Sequence, residues 1–338
     1  DPNKAAPNYR EASLFFEMTY PTEGLKTLLS NLTGRFLASG TNQETDYTSS
    51  ILCLDTRFGG GKTHDLIASY HLAEHADDIS NLSDHLLPDD ESSAEAYDEA
   101  VEEGLSVDSA VFVGGHVDAR NARSDRRDPN APNSKTMGGE IAYQLYGAEG
   151  YEELKEYDQN RTAPGQNKLK DLFDIGDGPA LVLIDEIAAY LESASAVEVG
   201  GATLASQTLS FVLSLLETAS ESDDVTIVYS IADTAFEEEA EDVRKLIDEL
   251  NQIGRRQHKT VTPTDESEVG KVLQHRLFED IDDEAAAEVS QSYFQLYTNS
   301  ERQFPQEATD ASYVDRLERE YPFHPTVIDT LTEKIDTI

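Results

Sequence analysis

The sequence is short of cysteine, lysine, tryptophan and long apolar runs. One cysteine, Cys53, in 338 residues excludes a disulfide framework. It falls in an apolar stretch, where a thiol is ordinarily a small buried hydrophobe. The eight histidines are not spaced as metal ligands, so with one cysteine beside them no zinc site is expected. No apolar run approaches the ~20 residues that cross a bilayer as a helix. No secretory leader opens the sequence either. The expectations are therefore no membrane contact and a cytoplasmic location. Lysine is scarce, 11 residues against 67 Asp plus Glu, and the net charge is −41. The acidic residues are spread along the whole chain rather than gathered in a tail. A dispersed acidic surface suits a high-salt cytoplasm that screens self-repulsion, so a halophilic archaeal source is expected. Acidic faces shaped by choice of partner are the alternative.

What is present is an alternation of strands and helices, with no internal repeat. Residues 1–20 form a polar and aromatic lead-in. Pro21-Thr22-Glu23-Gly24 is a helix-start signal before Leu25, Leu28, Leu29 and Leu32, which recur at helical spacing. An apolar strand at 50–55 runs into a glycine cluster and then a helix at 62–73. Residues 75–108 read as an acidic, partly helical insertion, and 110–114 as a second strand. Residues 116–178 read as a second insertion: a polar loop to 135, a helix near 140–145, and a turn-rich stretch from 150. Strands follow at 179–185 and 225–231, with an apolar helix at 204–216 between them. An amphipathic helix at 237–252 and a short strand at 259–262 complete the pattern. Such alternation predicts a parallel α/β sheet covered on both faces. After Pro263 the pattern turns helical, near 266–279, 283–297, 311–320 and 325–336. The expected units are thus a core at 21–262 and a helical unit at 263–338.

Two motifs carry chemistry. Thr56-Arg-Phe-Gly59-Gly60-Gly61-Lys62-Thr63 joins a buried strand to a helix. Phosphate needs several backbone N–H groups converging on one point. Glycines let the chain wrap closely, and a helix N-terminus adds a favourable dipole. Lys62 would meet the β- and γ-phosphates, and Thr63 would offer its hydroxyl to Mg2+. The pattern departs from Gly-x-x-x-x-Gly-Lys-Ser/Thr at its first position, Thr56. The second motif is Leu181-Val-Leu-Ile-Asp185-Glu186, an apolar strand ending in two carboxylates. Asp185 would hold Mg2+ and Glu186 would act as general base on water. A helix cap is the structural alternative. Together the motifs predict an ATPase. The adjacent acidic pair sets it apart from a small-molecule kinase, which seldom needs a water-activating Glu there.

Supporting groups are less decisive. Ser230, or Asp233 beyond it, could orient the attacking water or simply cap its strand. Arg255 and Arg256 precede the last strand, where an arginine of an AAA+ ATPase reaches the neighbouring subunit's γ-phosphate. A surface ion-pair role is equally open. Arg120, Arg123, Arg126, Arg127 and Lys135 face only Asp118, Asp125 and Asp128, so loop 118–135 is basic within an acidic chain. It could bind a DNA backbone or be a solvated loop whose charges pair locally.

Five blocks resemble one family. They are Phe16-Glu-Met-Thr-Tyr-Pro-Thr-Glu-Gly24, Phe58-Gly-Gly-Gly-Lys-Thr-His64, Met137-Gly-Gly-Glu140-Ile-Ala-Tyr-Gln-Leu145, Ile184-Asp-Glu-Ile-Ala-Ala-Tyr190 and Tyr321-Pro-Phe-His-Pro325. The order and content resemble prokaryotic P-loop ATPases of unknown function related to the PglY-type ATPases of phage exclusion. A tryptophan found near Gly138 in that family has no counterpart. The resemblance implies a three-layer αβα P-loop NTPase of AAA+ type followed by a helical lid. Residues Phe58 through His64 would line the nucleotide, with the roles above for Lys62, Thr63, Asp185 and Glu186. It also implies work in antiviral defence, as an oligomer or with defence-complex partners, within a longer protein. An ATP-driven remodeller or translocator is the first expectation, and a slowly hydrolysing nucleotide switch or scaffold the alternative.

Overall fold

A computed structural model describes residues 6–39, 48–55, 60–88, 91–120, 131–230, 259–299 and 304–334. Two short helices, α1 (Pro7–Arg10) and α2 (Ala12–Glu17), lead into α3 (Glu23–Ala38). Thr22 caps α3 by accepting the Leu25 N–H at 3.2 Å. Leu25, Leu28, Leu29, Leu32 and Phe36 then share one buried face, each contributing about 1.5–3 kcal/mol. The chain continues through β1 (Ile51–Leu54), α4 (Lys62–Glu74), α5 (Glu91–Glu102) and β2 (Asp108–Val113). Next come α6 (Met137–Asn160), α7 (Gln166–Phe173), β3 (Ala180–Asp185) and α8 (Ile187–Ser195). A small hairpin, β4 (Glu198–Val199) with β5 (Ala202–Thr203), precedes α9 (Leu204–Ser220), β6 (Val225–Ser230) and β7 (Lys259–Val261). Four helices follow: α10 (Val269–Leu277), α11 (Asp283–Asn299), α12 (Ser312–Arg319) and α13 (Pro325–Lys334).

The five longer strands form one parallel sheet in the order β2-β3-β6-β1-β7. Strand periodicity divides its side chains between two cores. Ile51, Cys53, Val182, Ile184, Ile227 and Tyr229 point to one face, under α6, α7, α8 and α9. Leu52, Leu54, Leu181, Leu183, Val228 and Val261 point to the other, under α2, α3, α4 and α5. The result is a helix–sheet–helix sandwich, with the Cys53 side chain buried inside it and not in a disulfide.

Three sequence expectations change. The lead-in is part of the core, because Phe15 and Phe16 are buried beneath it. The stretch 150–178 is mostly helical, not turn-rich. Its polar residues hold the helix: buried Asp158 accepts from Lys135 N at 2.8 Å, Thr136 N at 2.9 Å and Thr136 Oγ1 at 2.8 Å with one oxygen. Its other oxygen accepts from the Tyr151 hydroxyl at 2.9 Å. A residue near the end of α6 thereby ties down the start of the same helix. The break at Tyr146 and Gly147, where the backbone leaves helical geometry, obscured the continuity. Helix α8 and the hairpin were not foreseen. The helix expected at 237–252 lies outside the described residues.

One buried cation fixes how α3 meets the sheet. Arg35 donates from Nη2 to the carbonyls of Ser222 at 2.9 Å and Val225 at 3.0 Å, and from Nε to Thr226 Oγ1 at 3.3 Å. Burial lowers its pKa, against the opposing pull of Asp223 and Asp224. Arg35→Met keeps the apolar stem and orphans these acceptors. It is expected to cost about 2–3 kcal/mol, read as a lower urea midpoint at unchanged m-value.

The helical unit has a thinner core, Tyr297, Ala308 and Leu317 with Phe304 and Tyr313. Polar ties supplement it: Gln274 Nε2 donates to Arg319 O at 2.8 Å, and Arg316 pairs with Glu320 at 2.8 Å and with Asp329. Among the described residues no helix is long and apolar enough to cross a membrane.

Candidate functional site

The register of the sheet sets the site. Ile184 lies beside Tyr229, so Asp185 follows beside Ser230, and Leu54 pairs with Ser230 on the other side. The carboxyl ends of β3, β6 and β1 are therefore level, and this is the edge at which open α/β sheets take ligands. Asp185, Ser230 and the start of α4 meet there, although they come from well-separated parts of the chain.

Asp185 is 7% exposed and has three donors. Oδ2 accepts from the Thr63 hydroxyl at 2.9 Å, while Oδ1 accepts from the Ser230 hydroxyl and from the Glu186 N–H at 3.0 Å. Ser230 thus braces the carboxylate, a more specific task than capping its own strand. Glu186 occupies the cap position of α8, but its side chain makes no capping hydrogen bond. Its backbone is left-handed, with φ 51° and ψ 39°, a conformation that costs a non-glycine residue about 1–2 kcal/mol. The turn throws the Glu186 side chain over the segment after β2. A Cβ on Gly115 would stand 2.2 Å from Glu186 Oε2, and one on Gly114 would stand 2.2 Å from the Glu186 carbonyl oxygen. These two glycines make room for the acidic turn. At the end of the apolar run from Ala110, Gly114 gives no sign in the sequence of this role. The adjacent pair directly after an apolar strand was the available signal.

Gly61 precedes α4 with φ 102°, so only glycine fits comfortably. It turns the chain so that Lys62, Thr63 and His64 begin the helix. Thr63 is exposed apart from its bond to Asp185, and Lys62 is half-buried. Both ring nitrogens of His64 are engaged: Nε2 lies 3.0 Å from Thr19 Oγ1, and Nδ1 lies 3.3 Å from Arg276 Nη2. Burial, then the Arg276 and His85 charges, push the His64 pKa down to about 4. Asp65, one residue on, is buried with one carboxylate oxygen lacking a partner. Burial, then Glu268, raises its pKa well above the usual carboxylate range.

Phe58, Gly59, Asp233, Arg255 and Arg256 lie outside the described residues, as do Arg123, Arg126 and Arg127 of the basic loop. Its two described ends are anchored. The Arg120 carbonyl accepts from Arg161 Nη2 at 2.9 Å, and Lys135 Nζ donates to Gln159 at 2.8 Å.

Among the described residues, no group of three or more His, Cys, Asp or Glu is arranged to hold a metal. The donor set at the sheet edge is instead one carboxylate and one hydroxyl. This suits a hard divalent cation that takes its remaining ligands from water and substrate phosphates.

A family model, the DUF499 N-terminal domain, matches residues 2–261. No curated protein matches the chain.

Proposed function

The chain belongs to the DUF499 family through its N-terminal domain, and from that premise we propose a P-loop nucleoside triphosphatase of AAA+-like build that binds and hydrolyses ATP with Mg2+. The observation that carries it is the 2.9 Å bond between Thr63, at the glycine-led start of α4, and Asp185, at the end of β3. A glycine turn before Lys-Thr is common, and so is a strand ending in Asp-Glu. Their meeting at one sheet edge across 122 residues is what phosphate and metal binding require.

In this reading the N-terminal amides of α4 and the Lys62 ammonium receive the β- and γ-phosphates. Thr63 and Asp185 would hold Mg2+, whose chemistry is to neutralise charge on the β- and γ-oxygens. Ser230 keeps Asp185 turned toward that position. Glu186 accepts a proton as water oxygen bonds to the γ-phosphorus and the bond to the β–γ bridging oxygen breaks. ADP and phosphate leave. The basic loop 118–135 supports DNA as the macromolecule acted upon. The PglY-type resemblance supports a defence setting, for which gene neighbourhood is the check.

The test is phosphate release from ATP and Mg2+ in molar potassium chloride, with and without duplex DNA. Lys62→Ala is expected to lower turnover by at least ~10²-fold, and DNA to stimulate the parent. A parent that binds no ATP overturns the assignment. A parent that binds ATP but turns over slowly, unmoved by DNA, would point to the nucleotide-controlled switch instead.

A further inference from the structure

Arg276 stands on α10, beyond the family match, and reaches back to the helix that follows the glycine cluster. Its Nη2 donates to His64 Nδ1 at 3.3 Å, and its Nη1 donates to the Tyr9 hydroxyl at 3.2 Å. The guanidinium carbon also lies 5.9 Å above the centre of the Tyr9 ring, within cation–π range. Arginine has no acceptor, so Nδ1 accepts and the imidazole proton sits on Nε2. That proton faces Thr19 Oγ1 at 3.0 Å, and Thr19 gives its own to the Phe15 carbonyl at 2.6 Å. Phe15 stacks on the His64 ring with centroids 4.5 Å apart. Each donor in this series has one acceptor, and the series runs in one direction only, from α10 through α4 to α2.

The contact is part of a wider seam. Thr22 Oγ1 donates to Pro263 O at 2.6 Å, and the Glu268 carboxylate accepts from Glu23 N at 3.0 Å. A Cβ on Gly61 would stand 2.8 Å from Pro263 Cβ, so the root of the helical unit packs against the phosphate-loop turn itself. Within this seam, Arg276 holds the side chain next in sequence to Thr63.

We propose that Arg276 is a positioning residue for the phosphate-binding helix. Acting through His64, it fixes the first turn of α4 so that Lys62 and Thr63 stay in register with Asp185. The seating of the helical unit is thereby felt at the nucleotide site. The effect on turnover rests on the ATP reading, whereas the clasp does not.

The experiment uses the full chain with Arg276→Ala, Arg276→Lys, His64→Ala and the Arg276→Ala/His64→Ala pair. Without nucleotide, hydrogen exchange is followed at the amides of residues 62–71. Arg276→Ala is expected to speed exchange there about tenfold, Arg276→Lys to restore much of the protection, and the pair to be no worse than His64→Ala alone. With ATP, Arg276→Ala should raise KM about fivefold with kcat within about twofold, again with recovery in Arg276→Lys. Unchanged exchange at 62–71 in Arg276→Ala, or effects of the two single changes that add in full, overturn the clasp. A parent that binds no ATP defeats the ATPase reading, and the exchange results then decide the clasp alone.

Discussion

Glu186→Gln is expected to leave ATP bound and to lower kcat by about 10³-fold, equivalent to about 4 kcal/mol of transition-state stabilisation. Glutamine has the same length and keeps a carbonyl oxygen over Gly115, so the left-handed turn and the start of α8 should persist. What it lacks is the ability to take a proton from water. The interactions assigned to ground-state binding come from Lys62, Thr63 and the helix amides, none of which the change touches. KM is therefore expected to stay level or fall, the pattern of a group used only in the transition state. Single-turnover phosphate release together with equilibrium binding of a fluorescent ATP analogue separates the two effects. Normal turnover in Glu186→Gln would falsify the general-base assignment and bring the switch reading forward.

The second large effect separates two neighbouring glycines. Gly114→Ala is expected to destabilise the fold by about 3 kcal/mol or more, while Gly115→Ala leaves stability within about 1 kcal/mol and removes most of the activity. The difference lies in what each new methyl meets. At Gly114 it meets the carbonyl oxygen of Glu186 at 2.2 Å and its carbon at 2.9 Å, with Tyr190 Cβ at 3.0 Å behind. That is backbone at the junction of β3 and α8, under a fully buried aromatic ring, and it cannot yield without moving the sheet edge. At Gly115 the nearest atom is Oε2 of an exposed side chain, with the carboxyl carbon at 3.3 Å. The carboxylate can swing away at little cost to the fold, but then it leaves its place at the edge of the site. Urea unfolding of both variants beside phosphate release is the measurement. Equal stability loss in the two would mean that Glu186 does not rest on Gly115 in solution.

Four strands of the central sheet were legible because they are short, largely apolar runs bounded by Gly, Pro, Ser or acidic residues, whereas β7, Lys259-Thr-Val261, was legible only from its place in the alternation. Asp185 and Lys62 were legible for the same reason: each is the first polar side chain after such a run or its glycine turn, and Thr63 comes directly after Lys62. The sequence could not show which strands are neighbours, so it left Ser230 between orienting the attacking water and capping its strand, and its bond to Asp185 emerges only from the fold. The full length of helix α6 is hidden in the sequence because Gly147 and Gly150 look like breakers, and because a buried carboxylate, Asp158, looks like surface. Its partners Thr136 and Tyr151 make it interior. The series from Arg276 through His64 to Thr19 was invisible, since it joins residues more than 200 positions apart by hydrogen bonds that leave no periodicity. The buried Phe15-Phe16 pair was the one hint that the lead-in belongs to the core.

The seam between α10 and α4 also bears on where this protein can be divided. The family match ends with the last strand, at residue 261, which invites a cut there. Such a cut would take away the Pro263 carbonyl that receives Thr22, the Glu268 carboxylate over the first amide of α3, and the guanidinium that satisfies His64. The last residue matched by a family model and the last residue that the fold leans on are different things in this chain.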